Sequence, residues 1–259
     1  RQRPIRRRHP GRRCLRSERP GNRPDRQPRP AAGSRGYARR DRHRGTADRR
    51  VGGLVPIAPN PTKVMLYIAE RHIRGIDMGI EEFIVNTLKG RHKEAEHLIR
   101  NPFGTLPVLE LDDGTFIFES LSIIHYLEDR FTKKAVLPKK AKDRAKALEL
   151  ERITDVRILN EMARYVHATK SPLGFPYDSE KANEAESRIQ PALDYIEHTL
   201  MDDRKFLMGE ELSLADFTLA SGCQFLRFIK ADLFGNRPRL RSWDERLRNS
   251  GPGRLVLKC

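Results

Sequence analysis

Apolar residues first recur with helical spacing just after residue 60, where the chain changes from a polar to a periodic pattern. One helix face is marked at positions i, i+3, i+4 and i+7 by Met65, Ile68, Ala69 and His72. That spacing indicates a helix with one buried side. Asn60 and Pro61 suit the N-cap and the first helical position, so we expect the helix to begin there.

Short apolar runs follow this helix and predict a small sheet. In chain order the pattern predicts a strand at 83–85, a helix at 93–99, strands at 107–111 and 116–119, and a helix at 120–131. The last two strands flank Asp112-Asp113-Gly114, which is a hairpin signal. These elements make an α/β domain, provided that a strand also precedes Pro59.

No strand signal appears after the Lys-rich connection at 133–142. One apolar stripe consists of Ile158, Leu159, Met162 and Val166, and a second of Ile189, Ala192, Leu193, Ile196 and Leu200. Both have helical spacing. Ser213-Leu-Ala-Asp216 is a capping box before an apolar segment that we expect to form the buried centre of a helical bundle.

Four segments follow from these patterns. We predict an Arg-rich extension at 1–50, an α/β domain at 51–132, an all-helical domain at 141–249 and an unstructured end at 250–259. The α/β domain has a weak point, because the residues before Ala58 form a short run broken by Gly and Pro.

Charge separates the extension from the rest. The first 50 residues hold 19 Arg and four acidic residues, a balance of +15 out of a net +16 for the chain. With Tyr37 as their only aromatic and no apolar period, they cannot bury enough surface to fold, and we expect disorder. The extension is interpreted chiefly as a fragment or a wrongly assigned start. A phosphate-binding arm and a targeting presequence are alternatives.

Cysteine spacing and hydropathy narrow the class of protein. Cys14, Cys223 and Cys259 lie far apart and show neither a paired nor a metal-ligand pattern, which fits a reducing cytoplasm and no metal. No apolar run approaches the roughly 18 residues of a membrane span. Residues 51–259 carry almost no net charge, because nearly all of the positive charge lies in the extension. The composition therefore gives no reason to expect nucleic-acid binding by residues 51–259.

Four motifs occur in an order that resembles one superfamily. They are Pro59-Asn-Pro-Thr-Lys-Val64, Asn101-Pro-Phe-Gly-Thr-Leu-Pro-Val-Leu109, Glu119-Ser120 and Ser213-Leu-Ala-Asp216. In this order and spacing they are similar to the cytosolic glutathione S-transferases over residues 55–249. The resemblance implies a thioredoxin-like first domain, an all-α helical-bundle second domain and a homodimer.

The resemblance also implies a glutathione site. Leu106 would pair with the tripeptide through its main chain, with a cis bond to Pro107; an ordinary trans Pro at a strand start is the alternative. Glu119 and Ser120 would hold the γ-glutamyl end at a helix N-terminus; an N-cap role alone is the alternative for Ser120. His92 and Lys93 would meet the glycine carboxylate as cations, unless they are merely solvated charges.

Catalysis in similar proteins requires a donor to the glutathione sulfur, since the thiolate is the nucleophile. The position that carries Ser or Cys in many relatives is Ala58 here. Asn60, used two places later by some similar enzymes, is our candidate stabiliser, with Thr62 behind it. An N-cap role explains Asn60 equally well. Without a cysteine at this position, thiol–disulfide exchange is disfavoured.

An acceptor pocket is expected across the cleft, with Tyr165, His167, Phe175 and Tyr177 as candidates. The resemblance thus implies a detoxifying transferase that joins glutathione to small hydrophobic electrophiles. It needs no cofactor beyond glutathione as co-substrate. The alternatives are a catalytically impaired relative that keeps the fold, indicated by Ala58, and nucleic-acid binding through the Arg-rich extension.

Overall fold

The computed structural model describes residues 49–52 and 58–257. Four strands form one sheet: β1 (Arg49–Gly52), β2 (Ile80–Phe83), β3 (Val108–Glu110) and β4 (Phe116–Phe118). Their order is β2-β1-β3-β4, with β1 parallel to β2 and antiparallel to β3, and β3 antiparallel to β4. The hairpin predicted between β3 and β4 is confirmed, because Leu109 faces Ile117 across the pair.

Three helices accompany the sheet: α1 (Pro59–Ile73), α2 (Ala95–Arg100) and α3 (Ser120–Arg130). Two 3-10 turns, at 87–89 and 91–93, precede α2. Apolar side chains of the sheet and of α1 and α3 share one core, and Val64, Leu109 and Ile123 are almost completely buried. This α/β unit confirms the predicted class of the first domain.

The second domain is helical throughout its described length. Its helices are α4 (Ala141–Ile153), α5 (Asn160–Thr169), α6 (Ser179–Thr199), α7 (Leu214–Ile229), α8 (Pro238–Asn249) and α9 (Gly251–Val256). A π-helical segment, Thr154–Leu159, joins α4 to α5 without a break. The predicted all-α class of this domain is confirmed.

Helix α7 forms the centre of the bundle, as its apolar sequence predicts. Every residue from 214 to 226 is buried. Its capping box is present: Asp216 accepts hydrogen bonds from the N–H and hydroxyl of Ser213, and also from Leu207 N and Trp243 Nε1. The buried carboxylate therefore ties the start of α7 to α8 and to the loop before it.

A buried cation joins α1 to α3 inside the first domain. Arg71 is fully buried, and its guanidinium contacts the Glu128 carboxylate and donates to Phe131 O at 2.6 Å and Lys133 O at 2.8 Å. Glu128 in turn accepts from Leu137 N at 2.8 Å. This cluster fixes the end of the first domain against the connection that leads to α4.

Three predicted boundaries are wrong. Strand β2 lies at 80–83 rather than 83–85, and the strand before α1 begins at Arg49, ahead of the predicted domain boundary at 51. Residues 250–259 were expected to be unstructured, yet 251–256 form α9. The physical reason is local, because Ser250 caps this helix by accepting from Gly253 N. The interpretation of residues 1–48 and 53–57 lies outside the described residues.

Candidate functional site

A cleft of about 460 Å³ lies between the two domains. Its first wall comes from the start of α1, the turns at 87–93 and the loop at 104–106. Its second wall comes from α5, the loop after it and α7, through Ala163, His167, Pro172, Leu173, Phe175 and Phe225. The first wall carries polar side chains and main chain, whereas the second is mostly apolar.

Ala58, Asn60 and two prolines bring the start of α1 into the first wall. The helix begins at Pro59 with Ala58 as its N-cap, so the predicted N-cap role of Asn60 is wrong. Proline is well suited to this place, since its missing N–H would have no helical partner. The side chain of Asn60 is exposed, and its Oδ1 accepts from Ser120 Oγ at 3.3 Å.

Thr62 does not line the cleft. Its side chain is 2 % exposed, and its hydroxyl donates to Ala58 O at 2.9 Å. Its N–H bonds the same carbonyl at 3.1 Å. Because both donors are engaged in the first turn of α1, the expectation that Thr62 supports a thiolate is corrected to a role in starting the helix.

The loop before β3 presents Leu106 to the cleft. The bond between Leu106 and Pro107 is cis, as predicted. The loop is held from behind by the fully buried Asn101, whose Nδ2 donates to Thr105 O at 3.0 Å. Gly104 has φ +60, and a Cβ there would lie 2.8 Å from His92 O, so glycine is required at this close approach.

Glu119 and Ser120 lie where β4 ends and α3 begins. Glu119 is exposed and is the N-cap residue of α3, with φ 76, a backbone conformation that costs energy in a residue other than glycine. Ser120 is buried in the first turn of α3. Neither side chain lines the cleft directly, but Ser120 reaches Asn60, which does.

His92 and Lys93 both line the cleft, but they differ in charge. Burial lowers the pKa of His92, and the nearby Lys93 and His97 lower it further. His92 is therefore neutral near pH 7, and the expectation that it acts as a cation is corrected. Lys93 is exposed, with Nζ 3.4 Å from Phe103 O, and remains available to an anion.

Two of the four acceptor-pocket candidates line the second wall. The ring centroids of His167 and Phe175 lie 5.4 Å apart, and those of His167 and Phe225 lie 5.5 Å apart. Tyr165 instead packs against the core, and Tyr177 is 70 % exposed. Neither residue lines the cleft, so these two predictions are wrong.

His167 brings a polar edge to this apolar wall. Its Nδ1 lies 2.9 Å from the hydroxyl oxygen of Ser171. That oxygen also accepts from Leu173 N at 3.2 Å, which leaves its proton to donate to the ring nitrogen. Burial lowers the pKa of His167, so the ring is neutral at pH 7.

Sequence reasoning missed several wall residues. Ala163 lies one helical turn before His167 on α5, and this spacing was a signal that both face the same side. Phe225 lies in the apolar segment that the sequence predicts as the buried centre of the bundle and is 3 % exposed, yet it also lines the cleft. Thr87 and Leu88 come from a 3-10 turn with no sequence pattern that marks it.

Two further features concern only the described part of the chain. Residues 49–52 and 58–257 contain no group of three or more His, Cys, Asp or Glu side chains arranged to hold a metal ion. Within the same ranges, no helix is long and apolar enough to cross a membrane.

The sheet order of the first domain, the helical second domain and the cleft between the two domains are those of a glutathione S-transferase fold. The family models for the glutathione S-transferase N-terminal and C-terminal domains match residues 58–130 and 178–246. The chain belongs to the glutathione S-transferase superfamily.

Individual relatives agree with this assignment. Glutathione S-transferase 2 of Saccharomyces cerevisiae is 26 % identical over 197 residues, covering 74 % of this chain and 82 % of that protein. Human glutathione S-transferase theta-2 is 29 % identical over 198 residues, covering 75 % of this chain and 79 % of that protein. A glutathione S-transferase domain-containing protein from Marinobacter aquaeolei superposes with TM-score 0.70 at 26 % identity, covering 79 % of this chain and 99 % of that chain.

Proposed function

We propose that this protein is a glutathione transferase that adds the glutathione thiolate to small hydrophobic electrophiles. One observation carries the proposal: a polar wall and an apolar wall face each other across a single cleft of about 460 Å³. A peptide thiol needs hydrogen-bond donors and main-chain partners, whereas a hydrophobic electrophile needs apolar contact. The first wall offers the polar contacts to the peptide thiol, and the second wall offers the apolar contacts to the electrophile. Because the walls face each other, the two reactants are held side by side.

Glutathione would lie along the first wall. The main chain of Leu106 pairs with its cysteinyl part, in the manner of a strand added to β3. Its γ-glutamyl carboxylate lies at the start of α3, where Ser120 and the helix dipole favour negative charge and Glu119 faces the amine. Lys93 meets the glycine carboxylate, while His92 contributes contact rather than charge.

The sulfur would lie near Asn60. The side chain of Ala58 has no donor, Pro59 and Pro61 lack N–H groups, and both donors of Thr62 are engaged by Ala58 O. Asn60 therefore supplies the available side-chain donor of this first turn. Without ligand its Oδ1 accepts from Ser120 Oγ, and no described residue accepts from its amide nitrogen. When glutathione binds, the single hydroxyl proton of Ser120 turns to the γ-glutamyl carboxylate, and the amide nitrogen of Asn60 donates to the sulfur. A donor in this position stabilises a thiolate against the thiol, whose ordinary pKa is about 8 to 9.

The electrophile would lie against the second wall. Phe175, Phe225 and Leu173 offer apolar contact, and His167 is neutral, so the wall favours uncharged molecules. No acidic side chain of the described residues lines the cleft. The reaction needs no metal or redox cofactor, because the thiolate itself is the nucleophile.

Assembly and place of action belong to the same proposal. Similarity to the superfamily favours a homodimer that works in the cytoplasm on toxic electrophiles. Sedimentation equilibrium of the whole chain tests the assembly, since a monomer at micromolar concentration would contradict it.

A second candidate is a relative that binds glutathione without turning over any electrophile. Ala58 favours it, because the residue that donates to sulfur in many similar proteins is missing. Both candidates predict glutathione binding, but only the first predicts product.

Calorimetry with glutathione, followed by turnover of an aryl halide, benzyl chloride and an unsaturated aldehyde, separates the candidates. Binding with product supports the transferase. Binding without product from any of the three supports the impaired relative. Absence of binding would overturn both.

A further inference from the structure

A buried ion cluster lies behind the cleft and joins the two domains. Lys63 of α1 is 1 % exposed, and its Nζ lies 2.9 Å from Asp155 Oδ1 and 3.4 Å from Glu151 Oε1. Glu151 itself is 0 % exposed. The cation belongs to the first domain and both carboxylates to the second, so this contact spans the domain boundary.

The second domain holds these carboxylates from two further sides. Thr218 of α7 donates its hydroxyl to Glu151 Oε1 at 3.2 Å. Arg152 pairs with Asp155 Oδ2 at 2.7 Å. Lys63 is therefore docked against a fixed arrangement of α4, the π-helical segment and α7, rather than against one mobile side chain.

The cluster is close in sequence to both walls of the cleft. Lys63 follows Asn60 by one turn of α1, and Asp155 lies on the continuous helical stretch that carries Ala163 and His167. A displacement of α1 against that stretch moves the polar wall against the apolar one. The ion cluster is thus placed to fix the distance between the two ligands.

The π-helical segment supports the same interpretation. Thr154 donates its hydroxyl to Leu150 O at 3.0 Å and to Glu151 O at 2.7 Å, at the junction where α4 gives way to the π-helical turn. Single π-helical turns recur at functional sites because they re-aim the residues that follow. Here the turn begins directly before Asp155, so the irregularity and the ion pair occur at one place.

Stability alone does not require a buried ion pair here. Replacing such a pair with apolar residues of similar size is often neutral or stabilising, because burial of the charges offsets their attraction. An ion pair is more directional than apolar contact, since Lys63 must lie within hydrogen-bond distance of two carboxylates. The pair therefore constrains the position of α1 relative to the second domain.

We propose that Lys63 is a positioning residue, whose ion pair with Asp155 and Glu151 sets the separation of the two walls and thereby controls the acceptor site. The inference rests on the proposed transferase function. Glutathione itself contacts only the first wall, so its binding is independent of Lys63. A ligand that contacts both walls depends on it.

Arg71 provides a matched control. It is also a buried cation on α1, but its carboxylate partner, Glu128, lies within the first domain. Loss of Arg71 therefore lowers stability without changing the separation of the walls. Glu70→Gln is a milder control on the same helix, since Glu70 pairs with Arg74 one turn later.

The test compares two ligands by calorimetry on the full chain. Glutathione probes the first wall, and S-hexylglutathione probes both walls at once. The variants are Lys63→Met, Asp155→Asn, Arg71→Met and Glu70→Gln. Asp155 is 19 % exposed, so its variant is expected to fold even if Lys63→Met does not.

In Lys63→Met and Asp155→Asn we expect the Kd of glutathione to stay within about twofold, while the Kd of S-hexylglutathione rises at least fivefold. In either control the ratio of the two Kd values stays at that of the parent. The kcat/KM for benzyl chloride should fall in parallel with the loss of hexyl binding.

An unchanged ratio in Lys63→Met and Asp155→Asn would overturn the inference and leave the transferase intact. A matching loss for both ligands would also overturn it, since Lys63 would then act on the glutathione site. If the parent bound neither ligand, the proposed function would fail first, and the inference with it.

Discussion

Ser120 Oγ lies 3.3 Å from Asn60 Oδ1, so the first turns of α1 and α3 meet at one point beside the cleft. Each turn is the positive end of a helix dipole. Two such ends favour two negative charges, and glutathione offers them as its γ-glutamyl carboxylate and its thiolate. The bond between Ser120 and Asn60 connects the groups that we propose to hold these charges.

Ser120→Ala should weaken glutathione binding by about 1.5 kcal/mol, roughly tenfold in Kd, because a hydrogen bond to a charged group is lost. Calorimetry measures the change. Ser120→Thr keeps the hydroxyl and serves as the control. An unchanged Kd in Ser120→Ala would assign this serine to the helix start alone.

Lys93→Met should weaken glutathione binding roughly two- to fivefold, because an exposed ion pair contributes little in water. The loss should shrink as salt is added, since exposed charges are screened. His92→Gln should change the Kd little at pH 7, because the lowered pKa of His92 leaves the parent ring neutral. Equal losses in both variants would show that His92 carries charge after all.

Thr62→Val should lower the free energy of unfolding by about 1 kcal/mol, because the hydroxyl bond to Ala58 O is lost. The thiol pKa of bound glutathione should not change, since Thr62 does not line the cleft. Urea unfolding measures the first quantity and ultraviolet absorbance the second. A raised thiol pKa in Thr62→Val would show that Thr62 does help to stabilise the thiolate.

His167 should make stability depend on pH below 6.5, because burial lowers its pKa in the folded protein. Burial lowers its pKa below the unfolded value of 6.5, so in this window the unfolded chain binds the proton more readily. The contribution of His167 is fully present above pH 6.5 and is lost as the pH falls through the folded pKa. Urea unfolding of His167→Gln should show a weaker decline from pH 7 to pH 5 than the parent, and an equal decline would contradict this.

The sequence predicted most strongly the elements that depend on local pattern. The hairpin between β3 and β4, the start of α3 at Ser120 and the capping box at Ser213 and Asp216 each rest on residues adjacent in the chain. Their physical causes, namely turn conformation, helix caps and apolar period, act over a few residues and are visible in the sequence.

Features set by distant contacts were not predictable in the same way. The hydroxyl of Thr62 donates to Ala58 O because the helix begins two residues earlier than its Asn-Pro pattern indicates. Tyr177 and Phe175 are two residues apart, yet only Phe175 reaches the cleft, since the loop direction depends on α5 and α7. The pairing of Lys63 with Asp155 spans 92 residues, and no local pattern encodes it.

The proposed transferase function requires that the cleft hold glutathione as its thiolate with help from Asn60. Ultraviolet titration of bound glutathione tests it most directly, comparing the parent with Asn60→Ala and using Thr62→Val as the control. We expect a thiol pKa in the parent below the free value of about 8 to 9, and a rise of about one unit in Asn60→Ala. A parent value equal to that of free glutathione, or no change on loss of the amide, would contradict it.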